Sequence, residues 1–198
     1  MHIVVPYRGE NGKQRLDAPA DVRARLALAM LGDVLSACVA TARTLLVTDD
    51  EDARALAREA GAETVDDPGG GQGQAVAAAL APAGSAPVLV VNADLPCVTP
   101  RDLRALAGVA ELGALGLVEA ADGTTNALAL PRASLFAPLY GPASAARFRA
   151  HAKEHGVSAI AAAVRNLADD VDTADDLQRL MLRVGPRTLA ALQTVATP

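Results

Sequence analysis

Aspartates at two distant places in the chain have the types and spacing that could do chemistry. Asp94 stands just past Val88-Leu89-Val90-Val91, an unbroken apolar run bracketed by Pro87 and Pro96. Such a run fits a central strand covered on both faces, and a carboxylate beyond its end lies where an open α/β sheet meets its ligand. A desolvated carboxylate is costly unless something positive meets it. A hard divalent cation carrying phosphates is the fitting partner; a turn aspartate satisfying backbone amides is the bland alternative. The second place is Asp170-Val171-Asp172-Thr173. Period-two alternation puts Asp170 and Asp172 on one side of an extended segment, where they repel unless a cation separates them. Here the alternative is a solvated acidic turn.

Cations and glycines occur where a polyphosphate would need them. After a short strand at 3–5 the loop Tyr7-Arg8-Gly9-Glu10-Asn11-Gly12-Lys13-Gln14-Arg15-Leu16 places Arg8, Lys13 and Arg15 close together, with two glycines that let backbone approach a ligand. It is not a Walker loop, because only two residues separate Gly9 from Gly12 and Gln14 follows Lys13. A second strand at 44–48 ends in Thr48-Asp49-Asp50 at the same edge; these groups could read a base or ribose, and Asp50 is expected to cap the next helix. The glycine-dense stretch from Asp67 through Gly73 and Gln74 feeds a helix expected over 75–80, either as a flexible connection or as a backbone cradle for a nucleotide. Gly141 and Ser144, beside Arg147, open a further helix and are either an anion cradle at its positive end or an ordinary cap. Inside that helix His151-Ala-Lys-Glu154-His155 matches the spacing of one zinc peptidase class, with His2 the only other histidine.

The elements that must position these groups follow from spacing. Apolar residues from Asp21 to Ala40 recur at helical intervals, Glu51–Ala60 is a helix stopped by Gly61, and 63–65 is a third short strand. Thr99-Pro100-Arg101-Asp102 is a helix start, and Thr173 with Asp176 forms a capping box for a helix to Arg183. Strands are expected at 115–119 and 128–130, joined by a connection ending in Thr125-Asn126 that is richer in hydrogen-bonding groups than a tight turn needs. From 185 onward a short helix and a frayed end are expected. With 198 residues the chain is expected to be one domain, 184–198 forming a C-terminal extension. A net charge of -5 argues against a nucleic-acid surface. No apolar run reaches membrane length and the start is too short for a signal peptide, so a cytoplasmic location without membrane attachment is expected. Cys38 and Cys97 belong to no Cys-x-x-Cys pair and read as buried apolar fillers.

Taken together, the loop 6–16, Asn92-Ala93-Asp94-Leu95-Pro96, Gly123-Thr124-Thr125-Asn126-Ala127-Leu128, Gly141-Pro142-Ala143-Ser144 and Asp170-Val171-Asp172-Thr173 resemble the 2-phospho-L-lactate guanylyltransferase family. The resemblance implies an α/β fold, a Rossmann-like three-layer sandwich with a mostly parallel mixed sheet, like the nucleotide-diphospho-sugar transferases. It also implies a homodimer that transfers GMP from GTP to a phosphorylated three-carbon acid and releases diphosphate, in coenzyme F-420 biosynthesis. By that likeness Asp94 and Asp172, with Asp170, hold Mg²⁺; Arg8, Lys13, Arg15, Asp49, Gly73, Gln74 and Asn92 bind the nucleotide; Asn126, Gly141 and Ser144 bind the acceptor phosphate; Lys13, Asp94 and Asp172 are the catalytic set. A phosphate acceptor is already ionised at neutral pH, so no general base is required. The alternatives are a nucleotide-binding regulatory module without turnover, and a zinc hydrolase built on His151, Glu154 and His155.

Overall fold

Strands and helices alternate along a computed structural model of the chain, which describes residues 1–9, 16–81 and 85–195. In chain order the elements are β1 (His2–Pro6), α1 (Ala20–Val39), β2 (Arg43–Val47), α2 (Glu51–Ala60), β3 (Glu63–Val65), α3 (Gln72–Leu80), β4 (Val88–Val91), α4 (Pro100–Glu111), β5 (Leu115–Glu119), β6 (Thr125–Leu130), α5 (Ser144–Glu154), β7 (Ala159–Ala161), α6 (Arg165–Ala168), α7 (Ala174–Leu180) and α8 (Pro186–Val195). The strands form one sheet in the order β3-β2-β1-β4-β6-β5-β7. Its pairs are parallel except where β6 lies between β4 and β5, antiparallel to both. This is the mixed, mostly parallel α/β sheet expected from the sequence.

Period-two alternation sorts the strand side chains onto two covered faces. Ile3, Val5, Leu46, Leu89 and Val91 pack with apolar residues of α1, α2 and α4 in one cluster. Val4, Leu45, Val47, Val88 and Val90 pack with α3 and α5 in another. All four residues of β4 are fully buried, and at roughly 1.5–3 kcal/mol per buried aliphatic side chain this strand is a principal anchor of the sheet. A third cluster, with Met30, Cys97, Val171, Leu177 and Leu180, sits under the C-terminal segment. Both cysteines are buried, and burial pushes the Cys38 thiol up. No helix among the described residues is long and apolar enough to cross a membrane.

Strand direction is what positions the site. The parallel strands β1, β2 and β4 deliver residues 7–9, 48–50 and 92–94 to one edge of the sheet, while β6, running the other way, brings its first residues, Thr125 and Asn126, to that same edge. Capping follows the sequence closely. Asp50 accepts the Ala53 N–H and Gly61 ends α2 at φ 84°, and Thr99/Asp102 and Thr173/Asp176 are both complete capping boxes.

Three expectations need correction, and a fourth is met. Helix α3 begins at Gln72 rather than 75, because three glycines precede Gln72 and hide the start. Strand β6 begins at Thr125 rather than 128, since its two polar residues are buried by partners the sequence does not show. Helix α5 begins at Ser144, behind Ala143 in the left-handed region at φ 55°. The tail forms the short helix expected, α8, whose first N–H groups, from Arg187 and Thr188, donate to the buried Asp33 carboxylate of α1 at 3.0 and 2.9 Å; the frayed end expected after it lies outside the described residues.

Candidate active site

Val171 decides where its neighbours point. Its side chain is fully buried in the third cluster, so in an extended segment Asp170 and Asp172 must face the other way. Its N–H donates to the Asp94 carbonyl at 3.1 Å, tying the two acidic segments together. Asp94, Asp170 and Asp172, all partly buried, each offer a carboxylate oxygen within 4.8 Å of the others. They are the only such group of three or more acidic, histidine or cysteine side chains among the described residues. The surroundings hold them: the Asp172 N–H donates to Asp176 Oδ2 at 3.2 Å, and Asn126 Nδ2 donates to Asp170 Oδ1 at 3.2 Å.

The electrostatics of the trio are those of like charges held close together. Burial pushes the Asp170 carboxyl above its ordinary range, the negative charges of Asp94 and Asp172 push it further, and the hydrogen bond from Asn126 opposes them. The adjacent Asp169 behaves in the opposite way: burial disfavours its charge, but hydrogen bonds from Arg183 (2.7 Å) and Arg179 (2.8 Å) override that and hold it below its ordinary range. Three carboxylate oxygens converging on one point are a donor set for a hard cation such as Mg²⁺ or Mn²⁺. The residues present therefore fit the ion.

Beside the trio lies a cavity of about 170 Å³ lined by Arg8, Gly9, Gln72, Asn92 and Asp94 among others. Arg8 is half exposed and 3.7 Å from the Asp67 carboxylate. Asp49 is exposed, and accepts the Asp67 N–H at 3.1 Å. On the far side of Gln72 is a second cavity, of about 330 Å³, lined by Gly73, Gln74, Pro138, Tyr140 and Gly141. Gln72 borders both cavities and donates to Asn92 Oδ1 at 2.7 Å. The second cavity lies at the start of α3, which has no side-chain cap; uncapped first-turn amides attract anions, whereas at α5 the Ser144 and Ala145 N–H groups donate to the Gly141 and Gly123 carbonyls.

Part of the sequence-predicted set falls into two groups around Gln72, while Asp49, Asn126 and Ser144 line neither cavity. Asp94 and Asn92 meet Arg8 at the first cavity, and Gly73, Gln74 and Gly141 share the second. A Cβ on Gly73 would lie 2.6 Å from that of Pro138, so only glycine fits there. Ser144 is fully buried, its hydroxyl 3.0 Å from that of Thr125. Arg147 donates to the Tyr140 carbonyl at 3.0 Å, which braces the Gly141 turn. Lys13 and Arg15 lie outside the described residues. His151 and His155 are not gathered with Glu154 into a ligand set: their ring centroids lie 4.2 Å apart with the planes tilted by 43°, and His151 Nε2 is 3.0 Å from the Leu135 carbonyl. Gln72 was missed because nothing in a glycine-flanked glutamine distinguishes it.

Comparison with known proteins decides the family. The chain matches the family described as guanylyl transferase CofC like over residues 1–191. The chain belongs to this CofC-like family of guanylyltransferases. A phosphoenolpyruvate guanylyltransferase of Geodermatophilus obscurus is 37% identical over 188 residues, spanning 92% of this chain and 86% of that protein. A crystal structure from Desulfovibrio desulfuricans G20, assigned to the nucleotide-diphospho-sugar transferases, superposes with a TM-score of 0.76 at 17% identity, covering 98% of this chain and 94% of that one. A nucleotidyl transferase from Methanothermobacter superposes at 0.68 and 18% identity, covering 98% and 99%. At such identities the structures speak for the fold, and the family match makes this CofC-like chain a nucleotidyltransferase enzyme.

Proposed function

We propose that this enzyme transfers GMP from GTP to a phosphorylated three-carbon acid, 2-phospho-L-lactate or phosphoenolpyruvate, with release of diphosphate, as a step toward coenzyme F-420. The observation that carries the reading is the meeting of Asp94, Asp170 and Asp172 at the edge of the sheet, beside a cavity bordered by Arg8 and Gly9. In this reading the three aspartates hold Mg²⁺. When bound, the ion draws phosphate oxygens together and offsets their charge.

The chain's own groups supply the rest. Arg8, held only loosely by Asp67, turns to the triphosphate, joined by Lys13 and Arg15. Asn92 and Asp49 face the nucleoside, while Gly73 and Gln74 lie on the acceptor side of Gln72, in the second cavity. The second cavity, at the uncapped start of α3, takes the anionic acceptor, with the Gly141 turn beside it and Ser144 holding that turn to Thr125. An acceptor phosphate oxygen attacks the α-phosphorus, the new P–O bond forms as the bond to the β-phosphate oxygen breaks, and the electron pair leaves with diphosphate. The work left to the protein is positioning and charge neutralisation. The homodimer belongs to the same proposal, and light scattering on the purified protein tests it.

The test of the reaction is to mix the protein with GTP, Mg²⁺ and, separately, phosphoenolpyruvate, 2-phospho-L-lactate and 3-phosphoglycerate, scoring diphosphate release and product mass. The expected result is release with one of the first two acids and a product heavier by one GMP unit. Nucleotide binding without release for any acceptor would refute turnover and make the chain a binding module. Asp94→Asn is expected to keep the fold, read by circular dichroism, and to lose diphosphate release by at least a hundredfold.

A further inference from the structure

We infer that Asn126 is a positioning residue of the acidic trio, setting the orientation of Asp170, and is not a ligand of the acceptor phosphate. This rests on the metal reading proposed above. Asn126 is buried, with 2% of its surface exposed. Its side-chain amide nitrogen donates at 3.2 Å to the Ala168 carbonyl and at 3.2 Å to Asp170 Oδ1. An asparagine carries two N–H donors. With one on Ala168 and the other on Asp170, none is left to offer an acceptor phosphate.

The same residue is tied to the other half of the trio through its backbone. The Asn92 N–H donates to the Asn126 carbonyl at 3.0 Å, two residues before Asp94. Asn126 therefore spans both acidic segments: its main chain registers the end of β4, which leads to Asp94, and its side chain fixes the turn that carries Asp170. Only an antiparallel β6 allows this, because its first residues must arrive at the edge where the parallel strands end. A short amide suits the position. It donates to a carboxylate that needs orienting and brings no fourth negative charge, whereas the hydrogen-bonded partners of metal-binding carboxylates commonly govern affinity by 10–100-fold.

The experiment measures Mn²⁺ binding by the electron paramagnetic resonance of free Mn²⁺, on wild type, Asn126→Ala and Asn126→Ser, with circular dichroism as a check of folding; the serine variant carries the test if alanine at a buried site unfolds the chain. The expected result is Mn²⁺ affinity lower by about 10–100-fold in the variants, with the KM for the acceptor at saturating Mn²⁺ within about twofold of wild type. Variants that bind Mn²⁺ as wild type does, or whose defect is a raised acceptor KM at saturating Mn²⁺, would overturn the inference and leave the metal site standing. A wild type that binds no Mn²⁺ would overturn the metal site and this inference with it.

Discussion

If Asp94, Asp170 and Asp172 repel one another when no cation is bound, then Asp170→Asn should stabilise the metal-free protein while destroying its response to metal. The trio's oxygens lie within 4.8 Å of one another. Coulomb's law puts each pair of charges at about 0.9 kcal/mol in water and about 3.5 kcal/mol at an effective dielectric constant near 20. Because the side chains are only partly buried, the value belongs at the lower end, and relieving Asp170's two repulsions gives about 2 kcal/mol. For a chain of this size that raises the melting temperature by about 4–8 °C. The pH dependence has a definite sign. Asp170 titrates above its ordinary range in the folded chain, so the folded state holds this proton more tightly than the unfolded one, and stability falls as pH rises from the ordinary carboxylate range through the raised value. Calorimetry without metal, between about pH 4 and 8, should show that decline in wild type and a flatter curve in Asp170→Asn. Saturating Mn²⁺ should then reverse the order: at a hundred times the dissociation constant wild type gains about 2.7 kcal/mol, and the variant gains almost nothing. A metal-free Asp170→Asn that melts at or below wild type across this range refutes the repulsive cluster.

Two further outcomes follow from the same geometry. In Gly73→Ala the new Cβ would overlap Pro138, with 2.6 Å between the two β-carbons; the start of α3 must move away from the 138–141 turn, and the acceptor KM should rise by tenfold or more, with a loss of about 1–3 kcal/mol in chemical denaturation. Asp169→Asn removes the charge that Arg183 and Arg179 hold below its ordinary pKa. That charge contributes stability above the unfolded carboxylate pKa, lost as pH falls through the depressed value. The variant should therefore be less stable by about 1–3 kcal/mol at neutral pH and converge with wild type as pH falls below the ordinary carboxylate range, a convergence that equal offsets at all pH values would contradict.

What could be read from the sequence was what depends on neighbours along the chain. The buried run Val88–Val91, the Asp50 cap, the Gly61 stop and the two capping boxes are local devices, and all are present. The common direction of Asp170 and Asp172 is local as well, since it needs only strand periodicity and one apolar residue between them. What the sequence did not show depends on the rest of the fold. Asp33 caps α8 from more than 150 positions away, and the exposed alanine and isoleucine residues of β7 show no alternation because both faces are open.

The most consequential of these distant dependences concerns Thr125 and Asn126. Two consecutive polar residues before an apolar run read as the tail of a loop, and by propensity that reading is sound. They belong to a strand because Thr125 meets the Ser144 hydroxyl and Asn126 meets Asp170 and Ala168, each supplying the hydrogen bond without which a buried polar group costs about 1–3 kcal/mol. Those partners exist only because β6 is antiparallel. Had it run with its neighbours, its apolar end would occupy the ligand edge and its polar start the opposite one, far from Asp94. One reversed strand in an otherwise parallel sheet therefore converts a pair of loop-like residues into an anchor for the start of α5 and the support of an acidic trio. A sequence pattern carries strand position and facing, but strand direction is fixed by the whole sheet.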